Sequence, residues 1–386
     1  MVTLGIEELV VNPPAWLQNK RIGLLCNQAS TDRFFRHSRD LIAAAFPGQL
    51  RCLFTPQHGF FCEKQDNMIE SDHMHDAGLP VFSLYGETRR PTESMYDHLD
   101  VLLVDLQDVG TRVYTFMSTL AYCLEEAARL GKKVVVLDRP NPLGGERIEG
   151  NLVENGLQSF VGLYPIPMRH GLTFGELGLL FNNHYGIHAD YQVIKMQGWT
   201  RSMTFAQTGL PWLFPSPNMP TTAAAAVYPG QVLWEGTNIS EGRGTTLPFE
   251  LFGAPFLNIG DIIGFLDKSL LSGCSLRPLM FQPTSNKWAN VNCLGFQLHV
   301  SDPVSFMPYR VSLALLQAII RLYPLDFAFK QPPYEYEFEK LPIDLILGSQ
   351  KVRKAAADGA DIRNLEEHWR DDLRDFNDIR AGYFLY

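Results

Sequence analysis

Residues 101–137 read VLLVDLQDVGTRVYTFMSTLAYCLEEAARLGKKVVVL, and this stretch decides the fold. It opens on a short apolar run, Val101–Val104, that stops at Asp105. Ser118–Leu130 then spaces its apolar residues as one face of a helix, and Gly131 follows where a left-handed cap belongs. Lys133–Leu137 is a second apolar run, ending at Asp138. Uninterrupted aliphatic runs of this length suit strands buried on both faces, and a helix between two of them is the crossover of a parallel pair.

The same grammar extends outward. Arg21–Cys26 and Arg51–Phe54 are apolar runs with a helical pattern at Ser38–Phe46 between them. Strand alternating with helix predicts an α/β fold, a Rossmann-like, doubly wound, mostly parallel sheet. Beyond it lie a helical pattern at Gly175–Phe181, a strand-like Tyr191–Met196 and a rigid proline-rich loop at Pro211–Pro220. After a change near Val227–Val232, helical patterns at Ile259–Leu271 and Val311–Tyr323, a strand-like Phe296–Val300 and a charged helical C-terminus predict a second, smaller α/β or α+β domain. A chain of 386 residues exceeds the roughly 250–300 at which single cores stop growing, so two domains are expected, 1–228 and 229–386.

Composition narrows the function. With 33 Lys+Arg against 42 Asp+Glu the net charge is −9, and no basic stripe stands out, which argues against a nucleic-acid partner. No apolar run approaches the roughly 20 residues a bilayer span needs, so no membrane role is expected. Six scattered cysteines without C-x-x-C spacing read as reduced thiols, and the N-terminal segment lacks the pattern of a secretory signal, so a cytoplasmic location is expected. Oligomeric state is left open.

Polar, glycine-punctuated segments follow the apolar runs, and there chemistry is expected. His58 lies between Gln57 and Gly59 at a strand end, followed by Glu63, Asp66, Glu70, Asp72, His73, His75 and Asp76. Strong metal-ligand spacing is absent from this cluster, and no metal or other cofactor is expected; a metal-dependent hydrolase built on His58, Glu63, His73 and His75 stays as one alternative. Asp105–Thr115 offers Gln107, Asp108, Arg112 and Tyr114, a set able to hydrogen-bond several hydroxyls at once, as a sugar demands. Asp138, Arg139 and Asn141 form a second such wall. Arg112, Arg139, Arg169 and Arg243 are candidate ligands for a substrate carboxylate, although internal pairing to Asp105, Asp108, Asp138 or Glu241 should claim some of them. Nucleotide fingerprints G-x-G-x-x-G and G-x-x-x-x-G-K-[ST] are both missing.

At these segments the chain resembles the exo-β-N-acetylmuramidase (NamZ-like) glycoside hydrolases. The shared residues are Gln107–Gly110 with Arg112, Tyr114 and Thr115; Leu137–Pro142; Ser159–Gly162; Arg169–Gly171; Gly175–Leu177; Pro215–Pro220; and Glu235–Asn238 with Ser240–Thr245. The resemblance implies a Rossmann-like domain without a nucleotide, a smaller C-terminal domain, a substrate cleft at their junction, and release of terminal N-acetylmuramic acid from peptidoglycan fragments. It places Gln57, Gln107, Arg112, Tyr114, Asp138, Arg139, Asn141, Arg169, His170, Asn218, Glu235, Asn238, Ser240, Glu241 and Arg243 at the substrate. One departure matters: the family pattern has a glutamate before His-Gly, and this chain has Gln57, which cannot transfer a proton at neutral pH. Glu63 then becomes the expected acid, supported by His58 and Asp108, with Glu241 a further candidate. A sugar-binding protein that has lost catalysis or moved to another sugar is the other alternative.

Overall fold

The computed structural model describes residues 1–386 apart from Asn67 and Ala77, with His75 described by its backbone. The larger sheet is built from β1 (Ile22–Cys26), β2 (Leu50–Thr55), β3 (Met74–Asp76), β4 (Leu79–Ser83), β5 (Val101–Asp105), β6 (Lys133–Leu137) and β7 (Asp190–Ile194). Their order is β3-β4-β2-β1-β5-β6-β7, and every pairing is parallel except β3 with β4. With β3 set aside this is the Rossmann order, which reverses direction between β1 and β5.

The expected two-faced burial is present. Leu102 and Val104 of β5 and Val134 and Val136 of β6 join one apolar cluster, while Val101, Leu103, Val135 and Leu137 join another on the opposite face. The crossover helix runs from Phe116 to Leu130, two residues earlier than the sequence pattern, and Gly131 caps it at φ 62°. The edge pair β3 and β4 falls in what reads as polar loop and was not anticipated. Pro80 disguises β4; it is tolerated because pairing with β2 begins only at Val81.

The smaller domain is an antiparallel sheet of β8 (Leu251–Ala254), β9 (Cys274–Phe281) and β10 (Cys293–Val300) in the order β8-β10-β9, flanked by helices. Helix Thr222–Gln231 packs on helix Pro308–Leu322, and Gly230 makes this approach possible, since a side chain there would meet the Pro308 carbonyl. The larger sheet's first cluster continues into Trp234, Phe252, Phe296 and Leu315, so the two domains share an apolar core and their junction is firm. No described helix is long and apolar enough to cross a membrane.

Candidate active site

Loops leaving the C-terminal ends of β2 and β5 meet segments of the smaller domain around a narrow cleft. Gln57, His58, Tyr114 and Thr115 contribute from the first side; Tyr228, Glu235, Arg243, Tyr334 and Glu335 from the second. Ligands of doubly wound sheets bind outside these strand ends, so the location follows from the topology. At the crevice between β1 and β5, Arg139 grips Asp105 through Nε at 2.5 Å and Nη2 at 2.8 Å, both residues buried.

Two glutamates reach the cleft in opposite electrostatic settings. Glu335 sits at the tip of a two-residue hairpin in which Tyr334 and Glu337 exchange both backbone hydrogen bonds at 2.9 Å. Its φ is 47° and that of Tyr336 is 64°, the left-handed pair that turns of this kind normally give to Asn-Gly. Holding two bulky residues there costs of order 1–3 kcal/mol each, a strain typical of functional positions. Glu335 Oε2 accepts from the Tyr85 hydroxyl at 2.6 Å and Oε1 from Gln57 Nε2 at 3.0 Å. Burial nevertheless dominates and, with the nearby Glu235 charge, pushes the Glu335 carboxyl up to about 7.

Glu235 is equally enclosed, and burial alone would raise it too. Arg243 Nη2 at 2.7 Å and the Tyr334 hydroxyl at 2.7 Å outweigh that effect and hold it below the usual carboxylate range. Arg243 lies 3.3 Å from Glu241, which Lys287 contacts in turn at 2.7 Å. Near neutral pH one cleft carboxyl can therefore hold a proton while the other is charged.

His58 takes φ 76°, another left-handed strain, and Nδ1 bonds to the Lys64 carbonyl at 2.8 Å. That bond puts the ring proton on Nδ1 and leaves Nε2 as an acceptor. Burial depresses its pKa to about 4, so the ring is neutral under ordinary conditions.

Of the acids singled out by sequence, neither Glu63 nor Asp108 lines the cleft. Glu63 is exposed, and its carboxyl packs against the glycine that follows His58. Asp108 is buried below the surface, accepting from Gly110 N at 2.6 Å and lying 3.3 Å from His170 Nε2. Glu241 pairs with Arg243 and lines the adjoining part of the cleft beside Lys287 and Lys330.

The arginines divide as their chemistry allows. Arg112 spends its guanidinium on the carbonyls of Asn151, Ile166 and Ile346, tying the β5 loop to the smaller domain. Arg169 holds the Leu143 carbonyl, and Arg139 holds Asp105. Only Arg243 of the four lines the cleft. Other polar residues of the shared motifs brace the scaffold. Asp138 accepts from Thr173, Gly175 and Tyr386, and Asn141 bridges Leu143 and Leu172. Gln107 bonds the Asp108 and Pro140 carbonyls, and His170 accepts from Leu172 N. Asn238 ties in the 326–328 segment, and Ser240 accepts from Gly242 N. Asn218 reaches the cleft while bonding the Gln65 carbonyl.

His73 accepts from Ser83 N and packs edge-on against Phe82; the His75 side chain lies outside the described residues. Among the described residues no three His, Cys, Asp or Glu side chains are grouped as metal ligands. Sequence reasoning missed Glu335, Tyr334, Tyr85 and Lys287. In the run Tyr334–Lys340 acids alternate with aromatics, and nothing local distinguishes Glu335 from Glu337 or Glu339.

Fold and site define a two-domain α/β protein whose Rossmann-order sheet and smaller antiparallel domain enclose a cleft with an opposed pair of glutamates. Family profiles narrow the class: residues 22–223 match that of exo-beta-N-acetylmuramidase NamZ, N-terminal, and residues 226–386 its C-terminal counterpart. The chain belongs to the NamZ family. It is 41% identical over 386 residues to the peptidoglycan beta-N-acetylmuramidase NamZ of Bacillus subtilis (strain 168), covering all of this chain and 91% of that protein. Two crystal structures of DUF1343 family proteins from Bacteroides fragilis NCTC 9343 superpose with TM-scores of 0.88 and 0.77, at 33% and 30% identity, each covering all of this chain and 99% of theirs.

Proposed function

We propose that this chain is an exo-acting β-N-acetylmuramidase that releases terminal N-acetylmuramic acid from peptidoglycan fragments, with Glu335 and Glu235 as its working carboxyls. The observation that carries this reading is a pair of buried cleft glutamates in opposite settings, Glu335 on the neutral Tyr85 and Gln57 and Glu235 on Arg243 and Tyr334, which favour one carboxylic acid beside one carboxylate as glycoside hydrolysis commonly requires. Protonated Glu335 delivers its proton to the departing glycosidic oxygen. Ionised Glu235, held by Arg243 and Tyr334, stabilises positive charge developing at the anomeric carbon or directs the atom that attacks it. Neutral His58 accepts from a sugar hydroxyl through Nε2.

The lactyl carboxylate that distinguishes muramic acid needs a cation. Arg243 is already balanced by Glu235 and Glu241, whereas Lys330 borders the adjoining part of the cleft beside Tyr334 and makes no ion pair among the described residues. Lys330 is assigned to that carboxylate. A cytoplasmic role in handling imported or recycled fragments fits six free thiols.

Release of a chromophore from a β-N-acetylmuraminide, with the β-N-acetylglucosaminide as control, tests the reading. Selective turnover is expected, lowered roughly 10²–10⁴-fold in Glu335→Gln and with its muraminide preference narrowed in Lys330→Met. Binding of the muraminide without turnover by the native chain would replace the enzyme with a sugar-binding protein, the outcome that Gln57 makes worth looking for.

A further inference from the structure

One residue past Glu335 the chain enters a second groove, of about 360 Å³, lined by Arg89, Arg90, Tyr122, Tyr336 and Glu70 among others. Arg89 stands over the Tyr336 ring at 4.1 Å and the Phe160 ring at 5.6 Å, and Arg90 over Tyr122 at 3.9 Å. Tyr122 stacks on Phe160 in turn, at 5.9 Å between centroids. The groove adjoins the cleft through Tyr85, which donates to Glu335 and packs against both Tyr336 and Phe160.

The charges of the groove are unequally engaged. Arg90 pairs with Glu125, and Glu70 faces the Tyr336 hydroxyl at 3.3 Å. Arg89 has neither an ion pair nor a hydrogen bond among the described residues, so its half-buried guanidinium is held over aromatic rings with its donors unspent. The rings hold the guanidinium in place, and an unspent planar fork suits a carboxylate.

Direction follows from the acid. A general acid lies on the side of the departing oxygen, so the groove beyond Glu335 lies on the leaving-group side, while Lys330 lies beyond Glu235 on the other. We infer that the Arg89–Tyr336 groove is a subsite for the leaving fragment, binding through Arg89 a carboxylate on its next muramic residue. This assignment rests on the glycosidase reading for its direction but is tested apart from it. The carboxylate has two sources, the lactyl group itself or a stem peptide attached to it.

Calorimetric titration with an alternating muramic acid–glucosamine tetrasaccharide is the experiment, done on Glu335→Gln protein so that nothing is hydrolysed. Three forms are compared: lactyl carboxylate free on the inner muramic residue, the same group amidated, and the group extended by a stem peptide. Amidation is expected to weaken binding about tenfold, and Arg89→Gln to erase the difference while Arg89→Lys keeps part of it. Discrimination restricted to the peptide-bearing form would assign the peptide carboxylates as the anion. Equal binding of all three forms, or discrimination that survives Arg89→Gln, overturns the subsite. Chromophore release by the native chain reports separately on the glycosidase reading.

Discussion

Gln57 donates from Nε2 to Oε1 of Glu335 at 3.0 Å, joining the end of β2 to a hairpin tip 278 residues away. A glutamate in place of Gln57 would face Glu335 with its carboxyl at hydrogen-bonding distance. Two acids so placed share one proton, and the second ionisation is displaced upward. Gln57→Glu is therefore expected to move the alkaline limb of kcat/KM up by about one pH unit. A limb left in place would show that Glu335 is not the group governing it.

The charge assignment also fixes the shape of the native pH profile. Glu335, with its carboxyl at about 7, must be protonated to act, so activity falls as pH rises through that value. Glu235, held below the usual range, must be ionised, so activity falls only once pH drops beneath it. Replacing either by Gln should lower kcat roughly 10²–10⁴-fold, with the alkaline limb missing from Glu335→Gln and the acid limb from Glu235→Gln. Steady-state kinetics between pH 3 and 9 on folded variants decides it; limbs that persist in both variants assign the chemistry elsewhere.

The sheet was legible because its strands are buried on both faces and so read as unbroken aliphatic runs, as in Lys133–Leu137. The outer pair was not: Pro80 interrupts the run of β4, and Met74–Asp76 is a three-residue edge strand without such a pattern, because an edge strand need not bury both faces. Of the residues the motifs singled out, Gln57, His58, Glu235 and Arg243 line the cleft. The motifs also drew in Arg112, Arg139, Asp138 and Asn141, whose polar atoms bond loop backbones and neighbouring side chains, a demand that selects the same residue types as sugar binding does. Glu335 was invisible because its role depends on burial and on contacts with Tyr85 and Gln57 that arise only from tertiary folding.

Arg139 offers a sharp separation of structure from binding. Its removal leaves Asp105 buried, with the Ser38 hydroxyl as the principal remaining side-chain partner, and breaking such a pair costs about 3–5 kcal/mol. Arg139→Met should lose that much in urea denaturation, yet the folded fraction should show an unaltered KM. A raised KM with unchanged stability would return Arg139 to the substrate.

Glu149 gives the stability prediction. Its Oε1 accepts from Arg310 N at 2.9 Å, while Oε2 is buried without a partner among the described residues. Burial pushes the carboxyl up to about 7 from an ordinary 4.5. Below that ordinary value folded and unfolded chains both hold the proton and there is no penalty. Between the two values the unfolded chain releases its proton first, so stability declines as pH rises, and above about 7 the full penalty of about 3 kcal/mol is present. Glu149→Gln should therefore gain stability over the native chain at pH 8 and lose most of that advantage by pH 4, measured by urea denaturation at both. An advantage independent of pH would mean that the carboxyl's ionisation is not what the fold resists.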